Sequence, residues 1–336
     1  MVRSAFAIAV LAALAWGGWW YLGSSAKETA LNAWLDDRAA AGWVAERSDV
    51  SVNGFPNRID ATVSDLILAD PQSGWAWSAP VFQILQLSYK PNHVIAVWPG
   101  TQKVSTPFDT VSITSDTLRG SIVFVPDTAL TLDRSRLEIA NAAFQGTDWQ
   151  AKVESANFAT ERLAADAAPD FAHALGLDAI NVAVPELAAW ASRGTGVLPD
   201  VMERAHFDLV AAFDNPWDRH AVEGQKPVLT ALNIRDVDIS WGELNLRAKG
   251  EVTVDANGFP GGDVSVSAKN WREMLDVATT TGLIRRETAK SIETGLNLLA
   301  MLSGNRDDVT VPLSFADGLT KLGPIPLGAA PNLHRR

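Results

Sequence analysis

The strict alternation of apolar and polar residues over 244–254 constrains the fold of this chain more than any other feature of its sequence. Every even position in this stretch is apolar and every odd position is polar or charged. Successive side chains of a β-strand point to opposite faces, so the pattern predicts a strand with one apolar and one polar face. A turn over Asp255–Gly258 follows, and the alternation resumes over 264–268. Together these segments predict a long β-hairpin.

Shorter segments with the same period of two recur between Val50 and Leu163. Turn signals separate them, including Asp70–Gly74 and Lys90–Asn92. Short connections make neighbouring strands antiparallel, so a meander is expected. Upstream of the hairpin, the apolar positions shift by one residue near Arg235–Asp236, and a β-bulge is the simplest explanation.

Helices are predicted in two further regions. The alanine-rich segment 164–204 is divided by prolines and predicts a short helical insert. One helix starts at Asn270 and another runs over Arg286–Leu302, so a C-terminal helix pair is expected. The prolyl segment Leu322–Gly328 cannot be a central strand. The predicted fold class is therefore α+β, with a long, curved, predominantly antiparallel β-sheet.

The N-terminal region contains an uninterrupted apolar run from Ala5 to Leu22. At about 1.5 Å per helical residue, this run barely reaches across the roughly 30 Å hydrocarbon core of a bilayer, and an N-terminal transmembrane helix is predicted. A signal peptide cleaved near Ser24–Ala26 is the alternative. Aromatic residues cluster at the far end of the run, as they do at a membrane interface. These residues are Trp16, Trp19, Trp20 and Tyr21.

Positive charge sets the expected orientation of this helix. Arg3 and the α-amino group precede the apolar run, and Lys27 is the first positive charge after it. The positive-inside rule then leaves the bulk of the chain outside the cytoplasm. The expected location is the inner membrane, single-pass, with the body in the periplasm. Cleavage of the segment would instead give a soluble periplasmic protein.

Four segments are predicted from these patterns. Residues 1–24 form the membrane anchor or signal segment, and residues 25–49 form a juxtamembrane amphipathic helix and linker. The juxtamembrane helix opens at the capping pattern of Ser25 and Glu28. Residues 50–330 form a single periplasmic β-rich domain, and residues 331–336 form a C-terminal tail.

The composition excludes several classes of function. The chain has 39 Asp+Glu against 28 Lys+Arg, and its net charge of -11 repels phosphate backbones, so no nucleic-acid partner is expected. It has no Cys, which excludes disulfides, thiolate nucleophiles and Cys-ligated metal centres. No hydrolase elbow, phosphate loop, zinc-protease motif or dinucleotide fingerprint occurs, so a non-enzymatic protein without a cofactor is predicted.

Two sets of polar residues could in principle form a metal-binding or catalytic site. Asp214, Asp218 and His220 have the donor types that a divalent ion needs, although a solvated loop explains them equally well. His206 and Asp208 would share one face of a strand, as an acid/base pair can, but no candidate nucleophile accompanies them. We therefore assign no catalytic, cofactor-binding or metal-binding residue.

The apolar face of the predicted sheet is the candidate ligand site. An antiparallel sheet must cover such a face with helices, a second sheet or a ligand. The predicted helices are few, so either an apolar groove remains or the sheet closes on itself. Trp75 and Trp77 share a face in an extended chain and offer a broad apolar surface. The candidate groove residues are Trp75, Trp77, Leu244, Leu246, Val252 and Val254.

The segment Val52–Arg58 contains the pattern V-x-G-F-P-x-R. By this pattern and by shorter motifs along nearly its whole length, the chain resembles an uncharacterised domain family of membrane-anchored periplasmic proteins of Gram-negative bacteria. The long hairpin and the Gly258–Gly262 turn are more distantly similar to AsmA-type envelope proteins. That resemblance implies a lipid-holding β groove, although the chain is much shorter than the members able to bridge two membranes.

Four residues of this pattern, here called the structural motif, also have a physical explanation of their own. They are Gly54, Phe55, Pro56 and Arg58. Gly54 permits a turn, Pro56 fixes the backbone, and Phe55 can plug a sheet edge. Arg58 has the chemistry to bind a lipid headgroup, whereas an exposed strand arginine is the simpler interpretation.

The function expected from the sequence is to hold phospholipid acyl chains in an apolar β groove, as a membrane-anchored protein of envelope lipid homeostasis. The alternative is an envelope scaffold or protein-interaction domain with a closed core. The membrane and phospholipid are the expected partners, and no protein partner is identified.

Overall fold

The computed structural model describes residues 2–164, 166, 168–192, 198–224, 226–282, 284–303, 307–323 and 325–334. Two compact units make up the chain: unit 1 comprises Met1–Pro126 and Leu137–Trp149, and unit 2 comprises Asp127–Arg136 and Gln150–Arg336. The strand pairings of the described residues are antiparallel in both units. The predicted α+β class with a predominantly antiparallel sheet is confirmed.

A single helix, α1 (Val2–Ala40), contains both the predicted transmembrane run and the predicted juxtamembrane helix. The capping pattern at Ser25 does not start a new helix, because continuing a hydrogen-bonded helix costs less than nucleating another. Gly42, at φ +90°, follows the helix end, where left-handed glycines are common. Leu35 near this end is buried, whereas Trp34 remains 46% exposed.

Unit 1 continues from α1 as an antiparallel sheet. Strand β3 pairs with β1 and β2 as well as with β4, and β4 pairs in turn with β5 and β6. Leu35 of α1 packs with Val50, Val63 and Leu66 in a buried cluster, so the core of unit 1 joins the helix to the sheet. The strands are β1 (Val44–Glu46), β2 (Asp49–Asn53), β3 (Asp60–Asp70), β4 (Trp75–Leu87), β5 (Lys90–Val97), β6 (Gln102–Ser105), β7 (Thr110–Thr114), β8 (Thr117–Phe124) and most of β9 (Leu132–Gln145).

Unit 2 is an antiparallel meander in which each strand pairs with the next along the chain. The predicted hairpin is confirmed as β14 and β15, and the predicted bulge appears as a register shift between Ile234 and Val237. The strands are β10 (Gln150–Arg162), β11 (His173–Ala183), β12 (Val201–Phe213), β13 (Leu229–Trp241), β14 (Leu244–Val254), β15 (Pro260–Lys269), β16 (Asp308–Ala316), β17 (Leu319–Leu322) and β18 (Ile325–Ala329). The helices are α2 (Pro185–Ala191), α3 (Arg219–Glu223), α4 (Trp271–Thr280) and α5 (Arg286–Ser303).

The helical insert is much shorter than the predicted span 164–204. Within that span α2 is helical, whereas β11 is a strand and Val201 already begins β12. Strand β11 pairs along its length with both β10 and β12. Hydrogen bonds and side-chain packing on both sides therefore outweigh the helix preference of its alanines.

The C-terminal helix pair is confirmed as α4 and α5. Trp271 at the start of α4 is 2% exposed and packs with Ile292 and Leu296 of α5 and with Val309 and Val311 of β16. These contacts place both helices over one end of the unit 2 sheet. Strand β18 contains Pro326 and pairs with β17, as expected for an edge strand. Pro324 of the predicted prolyl segment lies outside the described residues.

The C-terminal tail returns to the hairpin. The Asn332 side-chain amide donates to the carbonyl oxygen of Asn257 at 2.6 Å, and His334 Nε2 lies 3.0 Å from the carbonyl oxygen of Leu229. These bonds hold the tail at the turn of the hairpin as far as His334. Arg335 and Arg336 lie outside the described residues.

Candidate functional site

The apolar face of the hairpin continues across the neighbouring strands of unit 2. The register places Leu177 opposite Phe207, and Phe207 opposite Val237. Two residues further along β12, Leu209 lies opposite Leu175 and Ile234. The partly exposed members of this surface, here called the apolar sheet face, are Phe158, Leu175, Leu177, Phe207, Leu209, Ile234, Ile239 and Leu246.

Helices cover one end of the apolar sheet face. Leu244 is 6% exposed and clusters with Ala188 and Ala191 of α2, and Met274 of α4 packs against this cluster. The middle of the face differs, because Leu177 and Leu209 retain partial exposure to solvent. A contiguous set of partly exposed aliphatic and aromatic side chains is typical of a surface that binds an apolar partner.

The predicted groove residues of unit 2 occupy different environments. Leu244 belongs to the covered end, and Leu246 is a member of the apolar sheet face. Val252 is buried, and Val254 at the end of β14 is partly exposed. The prediction that these positions share one strand face agrees with the observed pairing of β14, and of the four only Leu244 lies in the described cluster with α2 and α4.

The predicted tryptophan pair lies in unit 1, on β4. Trp75 is 57% exposed, and its neighbour on the same face, Trp77, packs against the core that contains Leu35. Trp77 Nε1 donates to Gln102 Oε1 at 2.9 Å, and its ring meets Phe82 edge-on at 5.3 Å between centroids. Trp77 is therefore a core residue of unit 1, and Trp75 is an exposed one.

A buried histidine lies at the β10–β12 side of the apolar sheet face. His173 is 3% exposed, with its Nδ1 atom 3.3 Å from Thr160 Oγ1 and its ring edge-on to Phe213. Burial lowers the pKa of His173, and the charge of Arg162 lowers it further, against the opposite effect of Asp133. The ring is therefore favoured in its neutral form, which suits an apolar surface.

The opposite face of the same strands carries ion pairs. Asp178 accepts from Arg204 at 2.8 Å and lies 3.2 Å from His206 Nδ1. Burial works to raise the pKa of Asp178, but these two partners outweigh it and lower the pKa overall. Asp208 pairs with Arg235 at 3.8 Å. His206 and Asp208 therefore have separate partners and do not form the acid/base pair that the sequence suggested.

The face that carries these ion pairs is here called the polar face, and a cavity of about 570 Å³ borders it. Val210, Ala212 and Ala231 line its apolar part, and the Asn233 side chain donates to Glu251 Oε1 at 2.5 Å in its polar part. Val252, one of the predicted groove residues, also borders it. Because its lining mixes apolar and charged groups, this cavity is less suited to an acyl chain than the apolar sheet face.

The structural motif contacts α1. Trp16 Nε1 donates to the Pro56 carbonyl at 2.8 Å, and Trp20 Nε1 donates to the Arg58 carbonyl at 2.5 Å. Phe55 meets Trp20 edge-on at 5.4 Å between ring centroids and remains 59% exposed. Gly54 has φ +112°, and a Cβ atom there would lie 2.6 Å from Arg58 Cβ, so the turn requires glycine.

Two charged residues beside this motif have partners within unit 1. Arg58 Nε lies 2.5 Å from Asp60 Oδ2. Lys27, which follows the apolar run in α1, donates to the carbonyls of Ile59 at 2.8 Å and Ile84 at 3.2 Å. Burial lowers the pKa of Lys27 to about 8, against the attraction of Asp60. The sequence marked Lys27 only as a charge after the apolar run, and nothing local to it indicates this contact.

The acidic loop proposed as a metal-binding alternative has a structural role. Asp218 caps α3, because its carboxylate accepts the backbone N–H groups of His220 and Ala221. Asp214 Oδ1 accepts the N–H of Val228 at 2.7 Å. Over the part of the chain that the structure describes, no three His, Asp or Glu side chains are arranged to hold a metal ion.

The chain matches a known family of bacterial proteins. The model of the family described as "Uncharacterized protein conserved in bacteria (DUF2125)" covers residues 19–331. No curated protein and no solved structure gives a significant match.

Proposed function

The chain belongs to the DUF2125 family of uncharacterised bacterial proteins, and we propose that it is a non-enzymatic, membrane-anchored protein that holds phospholipid acyl chains on its apolar sheet face. In this proposal α1 is a retained inner-membrane anchor and the body of the chain is periplasmic. The protein would take part in lipid homeostasis of the cell envelope, as the AsmA-type resemblance suggests.

The anchor is supported by the composition and contacts of α1. An 18-residue window of this helix has a mean hydropathy of 1.6, and 0% of that window is buried. Cleavage near Ser24–Ala26 would remove Trp16 and Trp20, whose indole groups bond to the motif in unit 1. Retention of the helix keeps these bonds, which favours an anchor over a signal peptide. The positive charges of Arg3 and the α-amino group, which precede the apolar run, support a periplasmic body.

The observation that carries the lipid proposal is the partly exposed apolar sheet face. Its members are aliphatic or aromatic, so they offer an acyl chain dispersion contacts and removal from water. Burying one methylene group contributes roughly 0.8 kcal/mol, so about eight methylenes supply on the order of 6 kcal/mol before entropic costs. A chain anchored beside a bilayer has phospholipid as its nearest source of such groups.

The scaffold alternative has its own support. Helices α2, α4 and α5 already close one end of the apolar sheet face over Leu244 and Val309. A partner protein that extended this cover would convert the rest of the face into an interface core. Recovery of a stoichiometric protein crosslinked to this face, with no lipid bound there, would favour the scaffold.

The non-enzymatic part of the proposal rests on how the polar side chains are used. His206 lies within hydrogen-bond distance of Asp178, Asp208 pairs with Arg235, and Asp218 caps a helix. Acid/base catalysis needs such groups to converge on one reacting atom. Their structural roles favour a passive mechanism, in which acyl chains are held by burial alone.

Photocrosslinking of the full-length chain tests the lipid proposal. The protein is reconstituted in nanodiscs of phosphatidylethanolamine and phosphatidylglycerol that contain a phospholipid with a diazirine near the end of one acyl chain. We expect labelled peptides from β11–β14 in addition to α1. The double variant L177Q/L209Q removes apolar surface from the face and is expected to lose the β11–β14 labelling severalfold.

Gly176→Gln is the matched control for this experiment. Gly176 is adjacent to Leu177 in β11 but lies on the opposite strand face, and a Cβ atom there meets nothing within 4 Å. G176Q is therefore expected to label like the unmodified chain. Labelling confined to α1 in the unmodified chain, with the fold intact by circular dichroism, would refute acyl-chain binding on the apolar sheet face.

A further inference from the structure

We propose that the turn over Gly54–Arg58, here called the motif turn, is a second membrane-contact element that lies in the interfacial layer of the phospholipid bilayer and inserts Phe55 among the lipids. This inference rests on the anchor part of the proposed function, because α1 must cross the bilayer for the turn to reach it. It is independent of acyl-chain binding on the apolar sheet face.

The motif turn is attached to the apolar part of α1. Its carbonyls at Pro56 and Arg58 accept the indole N–H groups of Trp16 and Trp20. A Cβ atom at Gly17 would lie 3.9 Å from the Phe55 ring, so the turn approaches the helix closely between the two tryptophans. The depth of the turn in a bilayer is therefore set by the depth of this part of the helix.

The length of α1 places that part of the helix within the outer third of the hydrocarbon core, toward the far interface. From Arg3, the charge that precedes the apolar run, the helix rises about 20 Å to Trp16 and about 26 Å to Trp20. The hydrocarbon core is roughly 30 Å thick, and any tilt lengthens the path across it. Both tryptophans are consequently at or below the hydrocarbon boundary, and the motif turn bonded to them cannot remain in bulk water.

Most backbone carbonyls of the motif turn have hydrogen-bond donors within the protein, which favours a layer poor in water. Carbonyls that enter such a layer must have hydrogen-bond donors, because an unpaired backbone carbonyl is strongly unfavourable in hydrocarbon. Side chains and backbone groups of unit 1 supply donors to four of the five carbonyls of this turn, and Lys27 supplies one to Ile59, the residue that follows it. Gly54 accepts from Arg58 N, Pro56 from Trp16, Asn57 from Ser88 N, Arg58 from Trp20, and Ile59 from Lys27.

The exposed side chains around the turn suit a bilayer interface. Phe55 is 59% exposed, and Trp19 and Tyr21 are 61% and 67% exposed on the adjoining helix. Aromatic rings concentrate at the headgroup level of membranes, where one end is apolar and the other wet. Arg58 is about half exposed in its pair with Asp60 and has further N–H donors for lipid phosphate. These features fit a phospholipid surface better than a soluble partner.

Site-directed spin labelling tests the inference, since the chain has no Cys and each introduced Cys is unique. The full-length chain is placed in nanodiscs of phosphatidylethanolamine and phosphatidylglycerol and labelled at Asn57→Cys, which leaves Phe55 and both tryptophans in place. Collision rates with oxygen, which partitions into lipid, and with a water-soluble nickel chelate are compared. We expect the oxygen-to-nickel ratio at position 57 to exceed that of the control severalfold.

Gln72→Cys is the control, because Gln72 is exposed in the turn at the opposite end of β3. The 11-residue strand separates the two turns by about 33 Å at roughly 3.3 Å per residue. Leu11→Cys, in the middle of the apolar run, reports on the anchor itself. A lipid-like ratio at 11 with a water-like ratio at 57 overturns the motif-turn inference and leaves the anchor intact. Water-like ratios at both 11 and 57 overturn the anchor and the inference together.

A second measurement avoids dependence on the spin label. Phe55 is replaced by benzoylphenylalanine, which preserves an aromatic ring at the position, and the full-length chain is irradiated in the same nanodiscs. Trp75 is the matched control, because it is a similarly exposed aromatic residue of unit 1, at 57%. Lipid adducts at position 55 with few at position 75 support the inference. Equal adduct yields at the two positions overturn it.

Discussion

The two ends of the apolar sheet face are built by the same strand alternation and have different environments. At one end Leu244 is buried under α2 and α4, whereas Leu209 toward the other remains partly exposed. Both are leucines on the same face of the unit 2 sheet. The comparison shows that alternation decides which side chains share the apolar face, while packing partners such as α2 and α4 decide which of them become core. A ligand is therefore argued for only where the helices do not reach.

The largest effect is expected at the covered end. Trp271→Ala removes a side chain that is 2% exposed and packs between α5 and β16. We expect the free energy of unfolding to fall by about 3–5 kcal/mol, from lost burial and the cavity that remains. Chemical denaturation of the full-length chain in detergent measures it. Trp75→Ala, at an exposed tryptophan, is expected to cost about 1 kcal/mol or less, and equal losses would contradict the covering role of α4 and α5.

A pair of leucine substitutions compares the two ends directly. Leu244→Ala is expected to cost about 2–4 kcal/mol, because the side chain is fully packed. Leu209→Ala is expected to cost only about 1 kcal/mol, because its native side chain already contacts water. Denaturation of both variants in lipid-free detergent provides the measurement. Similar losses at the two positions would show that the middle of the face is covered as completely as the end.

The neutral His173 makes stability depend on pH. Its folded-state pKa lies below the ordinary value of 6.5, so the unfolded chain binds a proton more readily. The stabilisation is present above about pH 6.5 and is lost as the pH falls through the lowered pKa. Urea denaturation at about pH 7.5 and about pH 5.5 should therefore show a loss on acidification. His173→Gln cannot titrate and should lose less, whereas an equal loss would exclude His173 as the cause.

The smallest effect is expected on the polar face. Lys249 Nζ lies 3.3 Å from Asp236 Oδ1, and the two side chains are 66% and 39% exposed. Exposed ion pairs contribute about 0–1 kcal/mol because water screens both partners. Lys249→Ala should therefore change the free energy of unfolding by less than Leu209→Ala does, in the same denaturation assay. A larger change would mean that the polar face carries more of the stability than its exposure indicates.

Local patterns predicted the hairpin of β14 and β15, the bulge after Ile234 and the C-terminal helix pair. Each depends on interactions between residues close in sequence, where side-chain period and turn chemistry are decisive. β11 was missed because its alanines favour a helix locally and only pairing with β10 and β12 makes it a strand. The bonds of Lys27 to Ile59 and Ile84 were also missed, since they join residues far apart in sequence.

The sequence by itself determined the apolar run of α1, the faces of the long strands and the family to which the chain belongs. These follow from period, composition and short motifs, which act within a few residues. Only the tertiary structure decided that Trp77 is core while Trp75 is exposed, that Leu244 is covered while Leu209 is not, and that the motif turn is bonded to Trp16 and Trp20. The reason is that burial and hydrogen-bond partners depend on which distant segments pack together, and side-chain period alone does not specify that.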